Sequence, residues 1–265
     1  MLGFYDSGIG GFSILNEFIK IAPEVKFNYL ADTQIMPLGE KSQDFIQSRV
    51  KKAVSFLFDQ GSSLVLLACN TAAVNSIREI QQNWLKSHQK FKDKQVLSLT
   101  KPLIEELENL DLKNQKGLLI ATKKTIQSGF YQQELFKINY LKTDFLACAN
   151  LATAIENQDK NVQKILQTEL SFDAKILERE FIILACTHYP LIKKEIKKVF
   201  KNQKIKIIDP SKVVAQKLKI YIQKHPEYKI LNNPNRFWTT LGKDSFDAKI
   251  KFFLNFKSDS QLIRL

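Results

Sequence analysis

At 265 residues, 44% of them hydrophobic, the chain can bury a substantial core as one large domain or two small ones. It has no run of about 18 apolar residues and no basic, apolar and small-residue leader pattern over residues 1–11, so a cytoplasmic protein with no membrane partner is expected. The net charge of +13 comes from lysines scattered beside glutamates, with no arginine-rich block or nucleic-acid motif, which reads as a solvated surface able to steer an anion inward, not as a nucleic-acid site.

Residues 1–5 read as a first strand, and Asp6-Ser7-Gly8-Ile9-Gly10-Gly11 as a glycine-rich turn into a helix over 13–21. Such a turn lets backbone N–H groups approach an anion at the helix start. A dinucleotide fingerprint would need glycine at position 13, where Ser13 stands. Asp32, after a second strand over 26–31, does lie at the distance of a ribose-binding acid, but without that glycine no dinucleotide cofactor is expected. A loop over 32–41 leads to a helix over 42–60 with apolar Phe45, Ile46, Val50, Val54, Leu57 and Phe58. Residues 64–75 (LVLLACNTAAVN) read as a buried parallel strand that ends on Cys69 and enters a helix over 72–86. A strand over 96–99 precedes a helix that Pro102 opens.

Residues 117–121 begin what reads as a second copy: strand, small polar loop over 122–128, helix, then a strand over 144–148 and one or two helices over 151–178. Residues 181–192 (FIILACTHYPLI) repeat the pattern of apolar strand, cysteine and helix. The separations Asp6 to Cys69 and Thr122 to Cys186 differ by a single residue. A strand over 205–208, a helix from Pro210 to 223, a loop over 225–235, a strand over 236–241, a helix over 245–256 and a strand over 261–265 close the chain. The expected fold class is α/β: two pseudo-symmetric lobes with mostly parallel central sheets, facing each other across an interlobe active site. Residues 1–97 with 208–265 would form the first lobe and 98–207 the second. Open α/β sheets bind ligands at the carboxyl ends of their strands, where both cysteines fall.

Cys69, Cys148 and Cys186 are odd in number and widely spaced, which fits reduced thiols better than a disulfide framework, and no close Cys or His pair suggests a metal. Cys148 reads as a small core residue. Cys69 and Cys186 each precede a helix start, where backbone N–H groups and the macrodipole favour a thiolate below the usual pKa of about 8.5. Each is followed by a hydroxyl residue, Thr71 or Thr187. Two equivalent thiols suggest a base on one side of a substrate and an acid on the other. His188 is able to hold or relay the proton of Cys186. Asp6 is able to do so for Cys69, though by position alone it reads equally as a cap or turn residue. Glu156, on an expected helix, reads by itself as a solvated charge.

Asp6-Ser7-Gly8-Ile9-Gly10-Gly11, Ala68-Cys69-Asn70-Thr71-Ala72 and Ala185-Cys186-Thr187-His188-Tyr189-Pro190 resemble the three signature blocks of the glutamate racemases, in the aspartate/glutamate racemase family. Ala31-Asp32-Thr33, Pro37-Leu38-Gly39-Glu40-Lys41, Ala121-Thr122 and Thr125-Ile126-Gln127-Ser128 support the match in family order. The resemblance implies cofactor-independent interconversion of L- and D-glutamate, supplying D-glutamate for peptidoglycan, in a homodimer with no metal. It implies that Cys69 removes the α-proton of D-glutamate while Cys186 reprotonates the opposite face, with roles exchanged for L-glutamate. Asp6 would assist Cys69, His188 would assist Cys186, and Glu156 matches an active-site glutamate. Ser7, Asn70, Thr71, Thr122, Thr125 and Thr187 match substrate-binding positions, as does the segment Pro37, Leu38 and Gly39, where the Gly39 N–H would hold a carboxylate. Leu38 stands where the family usually has tyrosine, and Ala149 where it usually has proline after the cysteine.

Those residue types suit the chemistry. An amino acid's α-proton is weakly acidic, and with no electron sink the site must stabilise a carbanion-like transition state with fixed donors and exclude water. Inversion requires bases on both faces. Hydroxyl and amide groups fix carboxylates without adding a competing base, so a polar, neutral pocket is expected. Motifs do not record one methylene of substrate length, which leaves an aspartate or other amino-acid racemase open. A basic nucleic-acid-binding or regulatory protein is the reading from another class.

Overall fold

The computed structural model describes residues 1–170, 178–200, 205–228, 234–257 and 259–265. Parts of two expected segments, 171–177 of the helical region and 229–233 of the late loop, lie outside these residues.

The longest apolar runs become the fully buried central strands, and the edge strands are partly exposed. β1 (Leu2–Asp6), β2 (Phe27–Ala31), β3 (Leu64–Leu67) and β4 (Gln95–Ser98) join β9 (Arg236–Thr239) and β10 (Gln261–Leu262) in the order β10-β9-β2-β1-β3-β4. β5 (Gly117–Ala121), β6 (Thr143–Ala147), β7 (Phe181–Leu184) and β8 (Lys206–Ile208) form the second sheet, ordered β6-β5-β7-β8. Every pairing is parallel. The order β2-β1-β3-β4 thus recurs as β6-β5-β7-β8, and in each copy the chain changes winding direction beside its first strand. That switch opens a crevice at the strands' carboxyl ends. β4, the edge of the first sheet, ends at Ser98, and β8, the edge of the second, ends at Ile208.

Helices cover both faces, as a parallel sheet requires. They are α1 (Phe12–Ile21), α2 (Gln43–Asp59), α3 (Asn70–Glu79), α4 (Leu85–Ser87), α5 (Thr100–Asn109), α6 (Lys123–Gln127), α7 (Phe130–Lys137), α8 (Leu151–Glu156), α9 (Val162–Leu170), α10 (Lys193–Val199), α11 (Pro210–Lys224) and α12 (Lys243–Leu254). In the second lobe the two-residue alternation of strands divides the core. Leu118, Ile120, Ile182 and Leu184 face one apolar cluster, and Leu119, Phe181 and Ile183 the other. Phe12, Tyr29 and Phe246 stack together in the first core, so α12 packs under the start of α1. The chain's last segment returns to the first sheet through β9, which pairs with β2.

Three local expectations need correction. The helix after Cys69 starts at Asn70, not at 72, and a π-turn over Ile80–Trp84 carries it into α4. Residues 122–128 are not a loop: Thr122 accepts the Thr125 N–H and caps α6, a helix too short to show apolar periodicity. The final strand spans only Gln261–Leu262. Asp32, whose spacing alone matched a ribose-binding acid, is buried and takes a two-pronged Arg49 guanidinium at 2.8 Å plus the Thr240 hydroxyl.

Candidate active site

The ends of β1, β3, β5 and β7 converge on one cavity of about 180 Å³. Its wall from the first lobe includes Ser7, Cys69, Asn70 and Thr71 with the 36–40 segment, and its wall from the second includes Thr122, Cys186, Thr187 and His188. The volume is below the ~300–1,000 Å³ of pockets for drug-sized ligands, so a small metabolite fits the space. Both thiols face it from opposite lobes, with Cys69 6% and Cys186 5% exposed. Cys148 is sealed in the second-lobe core, as expected of a structural cysteine. Among the described residues no cluster of His, Cys, Asp and Glu suits a metal ion.

Cys69 precedes α3, but burial, and after it the negative charge of Asp6, push its thiol up to about 12. The helix start does not yield the lowered value expected from sequence, because desolvation outweighs it. Ser7 Oγ lies 3.5 Å from its sulfur. Asp6 makes no hydrogen bond to Cys69. Its oxygens accept the Gly8 N–H at 2.8 Å and the Thr187 hydroxyl at 3.0 Å, and burial raises it to about 6 despite the nearby His188 and these two donors.

Across the cavity, His188 Nδ1 lies 3.9 Å from Cys186 Sγ and His188 Nε2 lies 2.9 Å from Glu156 Oε2. Burial alone would lower His188, but its hydrogen bonds to Cys186 and Glu156, and their charges, lift it well above the usual imidazole value. An imidazolium so held stabilises negative charge developing on the Cys186 sulfur. Glu156 is not the solvated charge that its helix position suggested, nor does it line the cavity. It is buried behind His188, accepts the Ile9 N–H at 2.8 Å and Lys249 Nζ at 2.9 Å, and sits near 2: burial would raise it, but His188 and then Lys249 and Ile9 lower it.

The glycine-rich turn therefore does hold anions at its backbone N–H groups, but they are the protein's own carboxylates. Its glycines also admit the other lobe. A Cβ on Gly8 would meet Glu156 Oε2 at 2.2 Å, and one on Gly10 would meet His188 Nδ1 at 2.5 Å.

Donors surround the remaining space. Tyr131 donates to Asn70 Oδ1, which fixes the amide's orientation, while the buried Nδ2 has no partner among the described residues. A buried amide donor without a partner is costly unless a ligand accepts from it. Thr71, Thr122 and Thr125 join hydroxyls across the lobes at 2.9 to 3.2 Å. Of the expected contact residues, Ser7, Pro37, Leu38, Gly39, Asn70, Thr71, Thr122 and Thr187 line the cavity, and Thr125 stands behind Thr71. The lining also has Met36, Glu40, Lys123, Ala149, Ala152 and Thr153. The neutral pocket expected from sequence is thus bordered by a carboxylate and an ammonium. The convergence of loops at strand ends would have indicated Lys123, next to Thr122, and Ala149, just past the end of β6.

Paired parallel sheets thus each deliver a buried thiol to one shared cavity. The chain belongs to the Asp/Glu/Hydantoin racemase family, whose sequence model matches residues 37–218. A glutamate racemase of Roseobacter denitrificans is 30% identical over 88% of this chain and 89% of its own. The solved glutamate racemase isoform from Bacillus anthracis superposes with a TM-score of 0.86 at 28% identity, covering 100% of this chain and 97% of that one. The Francisella tularensis glutamate racemase, solved with D-glutamate, gives 0.83 at 27% identity over 100% and 97%.

Proposed function

We propose that this chain racemises glutamate without a cofactor, by two thiols acting on opposite faces of the α-carbon, and so supplies D-glutamate for peptidoglycan in the cytoplasm. The observation that carries this reading is the shared cavity with Cys69 on one wall and Cys186 on the other. The names of the relatives add the substrate.

Cys69 takes the α-proton of D-glutamate as Cys186 gives one to the opposite face, and the roles exchange for L-glutamate. The proton moves from carbon to one sulfur, and another leaves the second sulfur for carbon, so no redox partner is needed. His188 assists Cys186 directly. Asp6 acts on Cys69 through charge, and Glu156 acts through His188. The Asn70 amide, the Gly39 N–H, and the hydroxyls of Ser7, Thr71, Thr122 and Thr187 hold the two carboxylates and the amino group, with Thr125 bracing Thr71. Pro37 and Leu38 shape the wall beside Gly39. The working unit is a homodimer, a reading that rests on family likeness.

The test is incubation of the purified chain with L-glutamate or L-aspartate, with no added cofactor, followed by chiral separation. D-glutamate is the expected product. Faster inversion of aspartate would reassign the substrate, and inversion of neither would end the proposal.

A further inference from the structure

α12 carries its lysines in two ways. Lys243 pairs with Asp247 and Asp259, and Lys251 is exposed to solvent. Lys249 instead follows Phe246 by three positions, beside the apolar face formed by Phe246, Ile250 and Leu254. Its side chain is only 13% exposed and ends on Glu156 Oε1 at 2.9 Å. Burying an ammonium costs several kcal/mol unless a counter-charge compensates. A lysine facing solvent would serve α12 equally well as a helix, so the inward one has a local reason.

That reason lies in how Glu156 divides its oxygens. Oε2 accepts from His188 and from the Ile9 N–H, whereas Oε1 is held by Lys249. Two of these three donors, Ile9 and Lys249, come from the first lobe, while Glu156 and His188 come from the second. The other thiol's helper is held in the mirrored way, since Thr187 of the second lobe donates to Asp6 of the first. Each lobe therefore helps to fix the carboxylate that serves the thiol of the opposite lobe.

We propose that Lys249 is a positioning residue for Cys186: by clamping and neutralising Glu156 from the opposite lobe, it sets the orientation and charge balance of His188 at the sulfur. This rests on the racemase reading only for its effect on turnover. The groups that face this network are Asp6 from β1, Tyr29 from β2, Cys69 before α3, and Tyr131, Cys148 and Tyr189 around Cys186. None of these carries positive charge, so His188 and Lys249 are the cations bonded to Glu156, while Lys123 and Glu40 line the cavity itself. Without Lys249 the site gains one net negative charge, and protons on His188 and the nearby sulfur are held more tightly.

The experiment is iodoacetamide alkylation of Cys186 across a pH series, resolved by peptide mass spectrometry, in wild type and in Lys249→Met, Lys249→Arg and Lys251→Met. Lys249→Met is expected to move the alkylation midpoint up by about one pH unit, with wild-type midpoints for Lys249→Arg and Lys251→Met. In turnover, Lys249→Met is expected to lower kcat about tenfold with KM within about twofold. In a Glu156→Gln background, which leaves no carboxylate for Lys249 to clamp, adding Lys249→Met is expected to displace the midpoint by less than half as much as it does in the wild-type background. Coincident midpoints in wild type and Lys249→Met would overturn the inference, as would equal displacement in Lys249→Arg or an undiminished shift in the Glu156→Gln background. A displaced midpoint in a chain that racemises nothing would leave the clamp standing and remove the racemase reading.

Discussion

Cys69, Cys148 and Cys186 share one chemistry and differ in surroundings. Two border the cavity, and the third is buried in the second-lobe core, beside Glu169 and Tyr189. Serine is a far weaker base than a thiol, so Cys69→Ser and Cys186→Ser are each expected to cut racemisation by about a thousandfold or more, whichever enantiomer is supplied. Cys148→Ser is expected to keep turnover within about threefold while losing on the order of 1–3 kcal/mol of stability, read by urea unfolding. Equal loss of turnover in all three would remove the distinction. Glu156 gives a pH prediction. Its folded value, near 2, lies below the ordinary 4.5, so its contribution is present above pH 4.5 and is lost as pH falls toward 2. Glu156→Gln is therefore expected to be less stable at pH 7 by on the order of 3 kcal/mol, with the difference vanishing near pH 2. A difference that persists in acid would contradict the assigned charge. The thiols were legible because each lies two residues past the end of an apolar strand, and His188 because it follows Cys186 by two. The setting of Glu156 was not, because its partners Ile9 and Lys249 meet it only when the lobes close.

At the scale of elements, the strand–cysteine–helix units carried most of the information. Their consecutive apolar residues identify β3 and β7 as central parallel strands, and the Ala-Cys that ends each run marks the carboxyl end. Short or capped elements were harder to read. α6 has one turn, so Thr122 and Thr125 looked like loop residues although the Thr122 hydroxyl caps the helix. The turn after β1 was recognised as glycine-rich, but the reason is contact with the other lobe. Gly10→Ala would drive a Cβ against His188 and Thr187, and is expected to lower kcat at least about a hundredfold through lost alignment. Gly242→Ala, at a left-handed position with open space around it, is expected to cost about 1 kcal/mol of stability and leave turnover intact. Chemical unfolding and steady-state rates on the two variants check the contrast, and comparable turnover in both would count against the lobe contact.

At the scale of the molecule, the repeated strand order makes one lobe present a thiol to the other, while α11 packs against both α1 and α5 and ties the lobes together. Spacing revealed the repeat, since the two cysteines follow their first strands at nearly equal distances. The surface charge belongs to this scale as well. A net charge of +13 attracts an amino acid of net charge −1 over distances that salt screens. Raising ionic strength from about 0.01 to 0.3 M, across which the Debye length falls severalfold, is expected to lower kcat/KM a few-fold while kcat holds. A salt-independent kcat/KM would show that the positive surface plays no part in capture.

The central claim is that separate groups act on the two faces of the α-carbon, and solvent isotope tests it most directly. L-glutamate is incubated with the protein in D₂O, and both enantiomers are isolated at low conversion for mass analysis. Two thiols predict deuterium in the D-glutamate formed, while the recovered L-glutamate keeps its α-hydrogen. Deuterium appearing in recovered L-glutamate as fast as inversion occurs would mean that one base serves both faces, and would contradict the account.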